Sequence, residues 1–372
     1  MTAQHWIYRT EENTDFNNLN SLHFQAFNFL RQNARELSVI VEQLSKPTLI
    51  INHDRWTNPA DLTRLFKLVI QAAKQYVNFD HVLVDASIDP VDYQGLADQL
   101  NLVAQELNVT KIVILGGFNN ITYTNAVVVP GSFWYFHSNC LLTHKYSHKT
   151  INMDQPRSRE FSCLNRNPKD HRLVFYSILK ERGLLDSFIY SFHDRWTHLT
   201  HLATEPLIQD QLPTTLILPF TSERWIKVQT DVRDFPITWP GQITGGNDHG
   251  IDHPAYHDAY CNVVTETVME TDFISEKIWK PIAAGQLFLV IGSRHTCKWL
   301  NDLGFYTFEN EHYDNEQDHI TRIEKVADIV STKRNNVRQW WLDNIDKIQH
   351  NRSRFNSTKF QSLMVNQVAE HF

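Results

Sequence analysis

The strongest constraint on the fold is an alternation of short, continuously apolar segments with longer segments whose apolar residues recur at helical spacing. Short strands that are apolar on both faces, separated by amphipathic helices, are typical of a parallel sheet covered on both sides. The sequence therefore predicts an α/β domain over residues 1–155. Its predicted segments are a helix over 22–44, the strand Thr48–Asn52, a helix over 61–76, the strand His81–Asp85, a helix over 94–107 and the strand Lys111–Leu115.

The same alternation restarts in the second half and predicts another α/β domain over residues 156–317, followed by a helical tail over 318–372. A chain of 372 residues is long enough for two domains. We expect two Rossmann-like domains that face a cleft, the usual place for a ligand. The predicted segments are strands over 161–165, 187–192, 215–220, 261–265 and 287–291 and helices over 171–182, 275–284 and 296–303.

The composition excludes several classes of protein. A content of 42% hydrophobic residues, with only 12 Gly and 13 Pro, excludes wholesale disorder and a collagen-like chain. The 35 Lys and Arg residues against 42 Asp and Glu give a net charge of −7, which offers no general attraction to a polyanion. Nucleic acid is therefore a disfavoured partner, and any anion must be bound by a local group of cations.

The cysteines and the first residues bear on metal content and compartment. Since no two cysteines form a C-x-x-C pair, we expect buried free thiols rather than a zinc or redox site. Residues 1–15 are charged and lack an apolar core, so we expect no secretory signal and a cytoplasmic protein. The longest apolar stretch, 282–291, is too short for a transmembrane segment, although peripheral contact with a membrane stays open. The cysteines are Cys140, Cys163, Cys261 and Cys297.

The segment before the strand over 287–291 carries the most informative chemistry. Ser275 is a good N-cap residue, which places Glu276 and Lys277 in the first turn of the following helix. The free N–H groups and dipole of a helix N-terminus favour an anion. Lys277 suits a phosphate and Glu276 suits ribose hydroxyls. The alternative is an ordinary capped helix with a solvated Glu–Lys pair.

Two motifs in this half of the chain resemble one enzyme family. Phe273-Ile-Ser-Glu-Lys277 resembles the aromatic-Val-Thr-Glu-Lys motif in the donor-binding domain of the family 10 glycosyltransferases, the α-1,3/4-fucosyltransferases. Glu266, ten residues before Glu276, is similar to the Glu of that family's Phe-Glu-Asn element. The segment from Cys163 to Arg172 resembles the Ser-Asn-x-x-x-x-x-Arg element that opens the same domain. The resemblance spans residues 160–310.

The resemblance implies a GT-B-like fold whose first domain binds the acceptor and whose second domain binds a nucleotide-sugar donor. It implies a metal-independent, inverting transfer of a sugar, with fucose from GDP-fucose as one candidate, to a hydroxyl of a glycan or glycoconjugate. No other cofactor and no metal is expected. By resemblance, Arg172 is expected to contact the phosphates of the nucleotide, with Arg166 as the substitute. Lys277 is expected to bind the same phosphates. Phe273 takes the position of the family's aromatic residue, where packing on the donor is expected.

An inverting transfer also needs a general base for the acceptor hydroxyl, which the family takes from a carboxylate of the first domain. Asp85 and Asp54 are the candidates because each follows or ends a predicted strand, and Asp89 lies just beyond. No motif selects among the three. Each is also compatible with a purely structural role.

Three further features have a plain and a functional interpretation. The segment 247–258 spaces His249, His253 and His257 four apart, but Gly250 and Pro254 interrupt a helix there, so we interpret it as a loop rather than a metal site. His-Asp-Arg-Trp-Thr occurs at 53–57 and again at 193–197, by coincidence or as two cleft-facing strand ends. Basic residues between 333 and 359 form a solvated helix face or contact an anionic acceptor.

Two rival functions stay open. One is a glycosyltransferase that acts on modified nucleic-acid bases, which the charge of −7 disfavours. The other is a non-catalytic module that binds a nucleotide or a glycan. The oligomeric state is left open.

Overall fold

The computed structural model describes residues 5–9, 25–26, 43–52, 59–75, 77–86, 92–117, 120–130, 135, 138, 156–165, 169–191, 251 and 255–372. They belong to two compact units, each built from separate stretches of chain. The first unit contains residues 1–144, 270–276 and 356–372, and the second contains 145–269 and 277–355.

The helices and strands alternate along most of the described chain. The strands are β1 His5–Arg9, β2 Gln25–Ala26, β3 Thr48–Asn52, β4 His81–Asp85, β5 Lys111–Leu115, β6 Ile121–Thr122, β7 Ala126–Val129, β8 Arg159–Leu164, β9 Phe188–Ser191, β10 Ala259–Thr265 and β11 Leu287–Ile291. The α-helices are α1 Pro59–Ala73, α2 Tyr93–Glu106, α3 Asp170–Glu181, α4 Ala255–Asp258, α5 Glu276–Ala283, α6 Thr296–Asp302, α7 His319–Lys333, α8 Val337–Asp343, α9 Ile345–Phe355 and α10 Thr358–Ala369.

The first unit contains a seven-stranded sheet in the order β2-β1-β3-β4-β5-β7-β6. Strands β1, β3, β4, β5 and β7 run parallel and follow one another in chain order, whereas β2 and β6 pair antiparallel at the two edges. Alternate residues of β3 and β4, among them Leu49, Ile51, Val82 and Val84, pack in one cluster with the apolar faces of α1 and α2. Burial of these aliphatic side chains is the main stabilising term of the unit.

The second unit contains a four-stranded, all-parallel sheet in the order β11-β10-β8-β9. The chain first moves from β8 to β9 on one side, and then β10 pairs with β8 on the other side and β11 lies beyond β10. The direction of winding therefore reverses between β8 and β10. In open α/β sheets the ligand crevice lies outside the carboxyl ends of the strands at such a reversal, so a crevice is expected beyond β8 and β10.

The core of the second unit beneath α5 is aromatic. Trp279, fully buried on α5, stacks on Phe355 with ring centroids 5.8 Å apart and meets Trp299 and Phe305 edge-on at 6.4 and 5.6 Å. Aromatic pairs in these geometries stabilise beyond the area that they bury. Helix α5 is therefore held to α6 and α9 by one large anchor.

The α/β class and the parallel sheets predicted from the sequence are confirmed. The strands at 48–52, 81–85, 111–115 and 287–291 have the predicted bounds. The helix predicted over 22–44 is wrong at Gln25–Ala26, because these residues pair with β1 and sheet hydrogen bonding overrides the local pattern. The strand predicted over 215–220 lies outside the described residues.

The helical tail is described from Asp318 onward as four α-helices and one 3₁₀ turn. Asp318 caps α7 by accepting from the N–H of Thr321 at 2.7 Å, and Ser357 caps α10.

The predicted domain boundaries near residues 155 and 317, and the cleft, remain predictions. Among the described residues, no helix is both long enough and apolar enough to cross a bilayer.

Candidate functional site

The winding reversal in the second unit brings polar residues together at the carboxyl ends of β8 and β10. Asn165 directly follows β8, while Thr265 ends β10. The Thr265 hydroxyl donates to Oδ1 of Asn165, and Nδ2 of Asn165 donates to Sγ of Cys163 at 3.3 Å. Deeper in the sheet, Nδ2 of Asn262 donates to the Ser162 hydroxyl at 3.0 Å. These buried bonds fix the spacing of the two strands below the crevice.

The cysteine beneath this network is chemically inert. Burial raises the pKa of Cys163 to about 12, so it remains a thiol and accepts the Asn165 hydrogen bond without acting as a nucleophile. Burial also raises the pKa of Cys261 and of Cys297. All three are buried free cysteines, as the sequence predicted, while Cys140 lies outside the described residues.

The first turn of α3 binds the main chain at the end of β10. His171 contacts the carbonyl oxygen of Glu266 through Nε2 at 2.9 Å. Arg172, 2% exposed, donates from Nη2 to the carbonyl oxygens of Thr265 at 3.2 Å and Glu266 at 3.1 Å. The side chain predicted to contact phosphate thus lies beneath the strand end and holds its backbone.

The protonation state of His171 follows from its surroundings. Burial, followed by the charge of Arg172, lowers the pKa of His171 well below the ordinary value. A neutral imidazole carries one N–H, and a carbonyl oxygen only accepts. His171 is therefore neutral at pH 7, with its proton on Nε2, where it donates to Glu266.

Glu266 is fully buried at the crevice and is held from two sides. Its N–H donates to the Ile291 carbonyl of β11 at 2.8 Å, while its own carbonyl accepts from α3. Its side chain crosses Gly292, where an added Cβ would lie 3.2 Å from Glu266 Cγ. The Glu266 side chain therefore lies in close contact with the backbone at Gly292.

Lys277 lies in the first turn of α5 and is half-buried. Its Nζ donates to the Thr267 hydroxyl at 3.3 Å, which ties the ammonium group to the residue after Glu266. Glu276 begins the helix and Ser275 precedes it at the predicted N-cap position. Phe273 and Ser275 are both buried.

The other predicted site residues are placed as follows. Asp85 ends β4 in the first unit and is fully buried, so its role as a base remains a prediction. Asp54, Asp89 and Arg166 lie outside the described residues, as do both His-Asp-Arg-Trp-Thr segments. Of the three spaced histidines, His257 is described. It lies on the short helix α4, so the predicted loop is wrong at residues 255–258, and it contacts the Ile251 carbonyl through Nε2 at 3.0 Å.

Several basic residues of the tail are engaged within the second unit. Lys333 pairs with Glu309 at 2.8 Å, and Arg334 donates to the Gly183 carbonyl at 3.2 Å. Arg354 donates to the Leu303 carbonyl and lies over the Phe305 ring. These contacts favour the structural interpretation of the basic residues over binding of an anionic acceptor.

Sequence reasoning assigned no role in the site to His171, Thr267, Gly292 or Arg322. Arg322 is buried on α7 and donates to the carbonyl of Gly292 from Nη1 and to that of Glu316 from Nε at 3.1 Å. Gly292 carried a usable signal, because a glycine directly after an apolar strand marks a turn or a close approach. The main-chain contacts of the buried pair His171-Arg172 carried none, since their partners lie 93 to 95 residues away in sequence.

Comparison with known proteins gives two distant structural similarities. The chain is similar to a co-structure of S. aureus MnaA with UDP, with a TM-score of 0.42 and 12% identity, covering 99% of this chain and 96% of that one. It is also similar to a crystal structure of α1,3-fucosyltransferase, with a TM-score of 0.38 and 11% identity, covering 88% of this chain and 91% of that one. No family model and no curated protein sequence matches. Similarities this low carry no functional argument, so the function is inferred from the residues.

Proposed function

We propose that the chain is a GT-B-type glycosyltransferase that binds its nucleotide-sugar donor in the second unit, at the carboxyl ends of β8 and β10. The observation that carries this is the winding reversal, because the turn after β10 begins at Glu266 and its Thr267 hydroxyl accepts from the Lys277 ammonium group. Crevices at such reversals are where open α/β sheets bind ligands. Two of the elements that resemble the family's donor-binding motifs, Glu266 and residues 273–277, lie between the end of β10 and the first turn of α5.

The proposed chemistry follows from the charge that glycosyl transfer develops. Breaking the bond between the anomeric carbon and the diphosphate leaves negative charge on the departing nucleotide and an oxocarbenium-like sugar. Lys277, in the first turn of α5, supplies a cation at the positive end of the helix dipole, which favours an anion. Glu276 is proposed to bind the ribose hydroxyls, and Glu266 to face the sugar.

The finer assignments are an inverting transfer of fucose from GDP-fucose to a hydroxyl of a glycan or glycoconjugate. Phe273 is proposed to pack on the base or sugar, with Ser275 shaping the turn before α5. The first unit is proposed to serve the acceptor, with its general base drawn from Asp85 or Asp54. That base would take the acceptor proton as the glycosidic bond forms.

Donor binding is tested first, by thermal shift with GDP, UDP, ADP and CDP. A diphosphate present at about 100 times its dissociation constant stabilises the folded state by about 2.7 kcal/mol, which is a readily measured shift. We expect one diphosphate to stabilise the protein selectively. If none does so at millimolar concentration, the proposed function is wrong.

Lys277→Ala tests the residue that the proposal depends on. A lost hydrogen bond to a charged group costs about 1.5–3 kcal/mol, so the dissociation constant of the diphosphate should rise about 10- to 100-fold. Lys298→Ala is the matched control, because Lys298 belongs to the same unit and pairs with Asp302 on the surface. Unchanged affinity and turnover in Lys277→Ala would overturn the donor site.

Transfer itself is tested with GDP-fucose and the sugars of the diphosphate found by the screen, against glycan acceptors and duplex DNA with hydroxymethylated bases. Product formation on glycans supports the proposal. Product on DNA, with binding that weakens steeply as salt rises, would identify the nucleic-acid rival. Diphosphate binding without any transfer would identify a non-catalytic module.

A further inference from the structure

We propose that His171 and Arg172 are positioning residues that set the donor-binding turn after β10 by holding its backbone, rather than by touching the donor. The β10 clamp is defined as these two side chains and the carbonyl groups of Thr265 and Glu266. This inference rests on the proposed function, since it assigns the clamp a role in diphosphate binding.

The first step is that both backbone polar groups of Glu266 are held, the carbonyl by the clamp and the N–H by β11. The N–H of Glu266 is held by the Ile291 carbonyl of β11, and its carbonyl is held by His171 and Arg172 of α3. Buried backbone groups near the end of a strand need such partners, because the sheet ladder no longer satisfies them. Glu266 therefore has a defined backbone position relative to both β11 and α3.

The second step is that the position of the Glu266 backbone determines where Lys277 finds its hydrogen-bond partner. Thr267 directly follows Glu266, and its hydroxyl accepts from Nζ of Lys277 at 3.3 Å. A shift of the Glu266 backbone would move the Thr267 hydroxyl and remove this contact of the ammonium group. The clamp thus acts on the cation that is proposed to meet the diphosphate, through two intervening residues.

The third step is that the clamp works by donation alone. His171, 4% exposed, is neutral and donates through Nε2, and a guanidinium group has only donors. His171 Nε2 and Arg172 Nη2 donate to carbonyl oxygens at 2.9 to 3.2 Å, and both side chains are buried. The geometry places them beneath the turn, so a donor in the crevice meets the turn and not the clamp.

The test uses a pair of variants that differ by one methylene group. His171→Gln can place its amide nitrogen near the position of Nε2 and keep the bond to Glu266, whereas His171→Asn reaches only the position of Nδ1. Binding of GDP and guanosine, and of UDP and uridine, is measured by calorimetry for both variants and for the wild type. Leu179→Ala, which removes a buried apolar side chain from the same helix, is the control for a general loss of stability.

We expect His171→Asn to weaken binding of the diphosphate about tenfold and that of its nucleoside less than twofold, because only the phosphate contact depends on the clamp. His171→Gln should bind both like the wild type. Hydrogen exchange should be faster over residues 265–277 in His171→Asn alone. Equal weakening of diphosphate and nucleoside, or the same pattern in Leu179→Ala, would show a merely structural role and overturn the inference.

The two proposals fail in different ways. A wild-type protein that binds no diphosphate overturns the proposed function and, with it, the donor role of the clamp. A wild-type protein that binds a diphosphate, together with a His171→Asn variant that binds it equally well, overturns the clamp alone.

Discussion

The two sheets end differently at their carboxyl edges. In the first unit the parallel strands follow one another in chain order, and the ends of β4 and β5 are covered by Tyr93, whose hydroxyl donates to the Ala86 carbonyl at 3.1 Å. In the second unit the winding reverses between β8 and β10, and the same edge is lined by Asn165, Thr265 and Glu266.

The difference shows how topology selects where a site can form. Strands laid down in one direction allow the next helix to close the sheet edge with its own side chains, as Tyr93 does from the first residue of α2. A reversal separates the connections after β8 and β10, and polar groups there need partners within the crevice or from a ligand. Only the second edge should therefore respond to a nucleotide.

The largest expected effect is that of Trp279→Ala, which removes the aromatic anchor of α5. Truncation of a fully buried aromatic side chain lowers the free energy of unfolding by about 3–5 kcal/mol. The loosened helix should also weaken diphosphate binding, because Lys277 lies in its first turn. Urea unfolding and calorimetry measure the two effects.

Phe66→Ala is the matched control in the first unit, where Phe66 is equally buried on α1. It should cost a comparable free energy of unfolding and leave the diphosphate affinity of the folded protein unchanged. An equal loss of diphosphate affinity in both variants would contradict the claim that only the second unit binds the nucleotide.

The next effect is that of Gly116→Ala at the end of β5. An added Cβ would lie 2.0 Å from Cε1 of Tyr93, so the ring must move. Overpacking of this kind lowers the free energy of unfolding by about 1–3 kcal/mol. Since this edge is closed by its own side chain, diphosphate affinity should stay as in the wild type, and a large loss of affinity would contradict the assignment.

The sequence predicts the parts of the fold that depend on local patterns better than the parts that depend on contacts between distant residues. Strands with continuous apolar runs, such as Lys111–Leu115, were placed to the residue because burial on both faces leaves a clear pattern. The helix predicted across Gln25–Ala26 failed because pairing with β1 is decided by a partner about 20 residues away.

The candidate site shows the same division. Lys277 and Glu266 were found from local motifs, and the structure brings Lys277 to the residue after Glu266. The burial of Arg172 beneath β10 was not predictable, because its residue type suits a phosphate and a carbonyl equally well. Only the fold decides which of the two lies within reach.

A smaller effect is expected from pH, through His171. Its pKa in the folded state is lowered below the ordinary value, so the unfolded state binds the proton first as pH falls. The contribution of His171 to the free energy of unfolding is therefore fully present above about pH 6.5. The free energy of unfolding decreases by about 1 kcal/mol between pH 7.5 and pH 5.5 through this group. His81 and His371 of the first unit have lowered pKa values too and act in the same direction.

His171→Gln separates these contributions, because glutamine does not titrate in this range. The variant should lose less stability than the wild type between pH 7.5 and pH 5.5 in urea titrations, while the part due to the first unit persists. Identical pH profiles would mean that the pKa of His171 is the same in the folded and unfolded states, which would contradict its lowering by burial in the folded state.

The smallest effect is that of Gly292→Ala, the counterpart of Gly116→Ala at the edge of the other sheet. The added Cβ would lie 3.2 Å from Cγ of Glu266 and 3.3 Å from Cγ1 of Val290, so a shift of a few tenths of an ångström suffices to admit it. Because Val290 belongs to strand β11 and Glu266 to the turn after β10, we expect the Glu266 side chain to move and Val290 to stay in place. We expect a loss of stability below about 1 kcal/mol and a roughly threefold rise in the dissociation constant of the diphosphate.

The two glycine variants together decide whether the two edges differ in function. Gly116→Ala should change stability without affinity, and Gly292→Ala should change affinity more than stability, although each substitution adds the same methyl group. A double-mutant cycle between Gly292→Ala and His171→Asn then tests the path, since both act on Glu266 and their effects on affinity should not add. Additive effects would mean that Gly292→Ala, through the Glu266 side chain, and His171→Asn, through the Glu266 backbone, affect diphosphate binding independently.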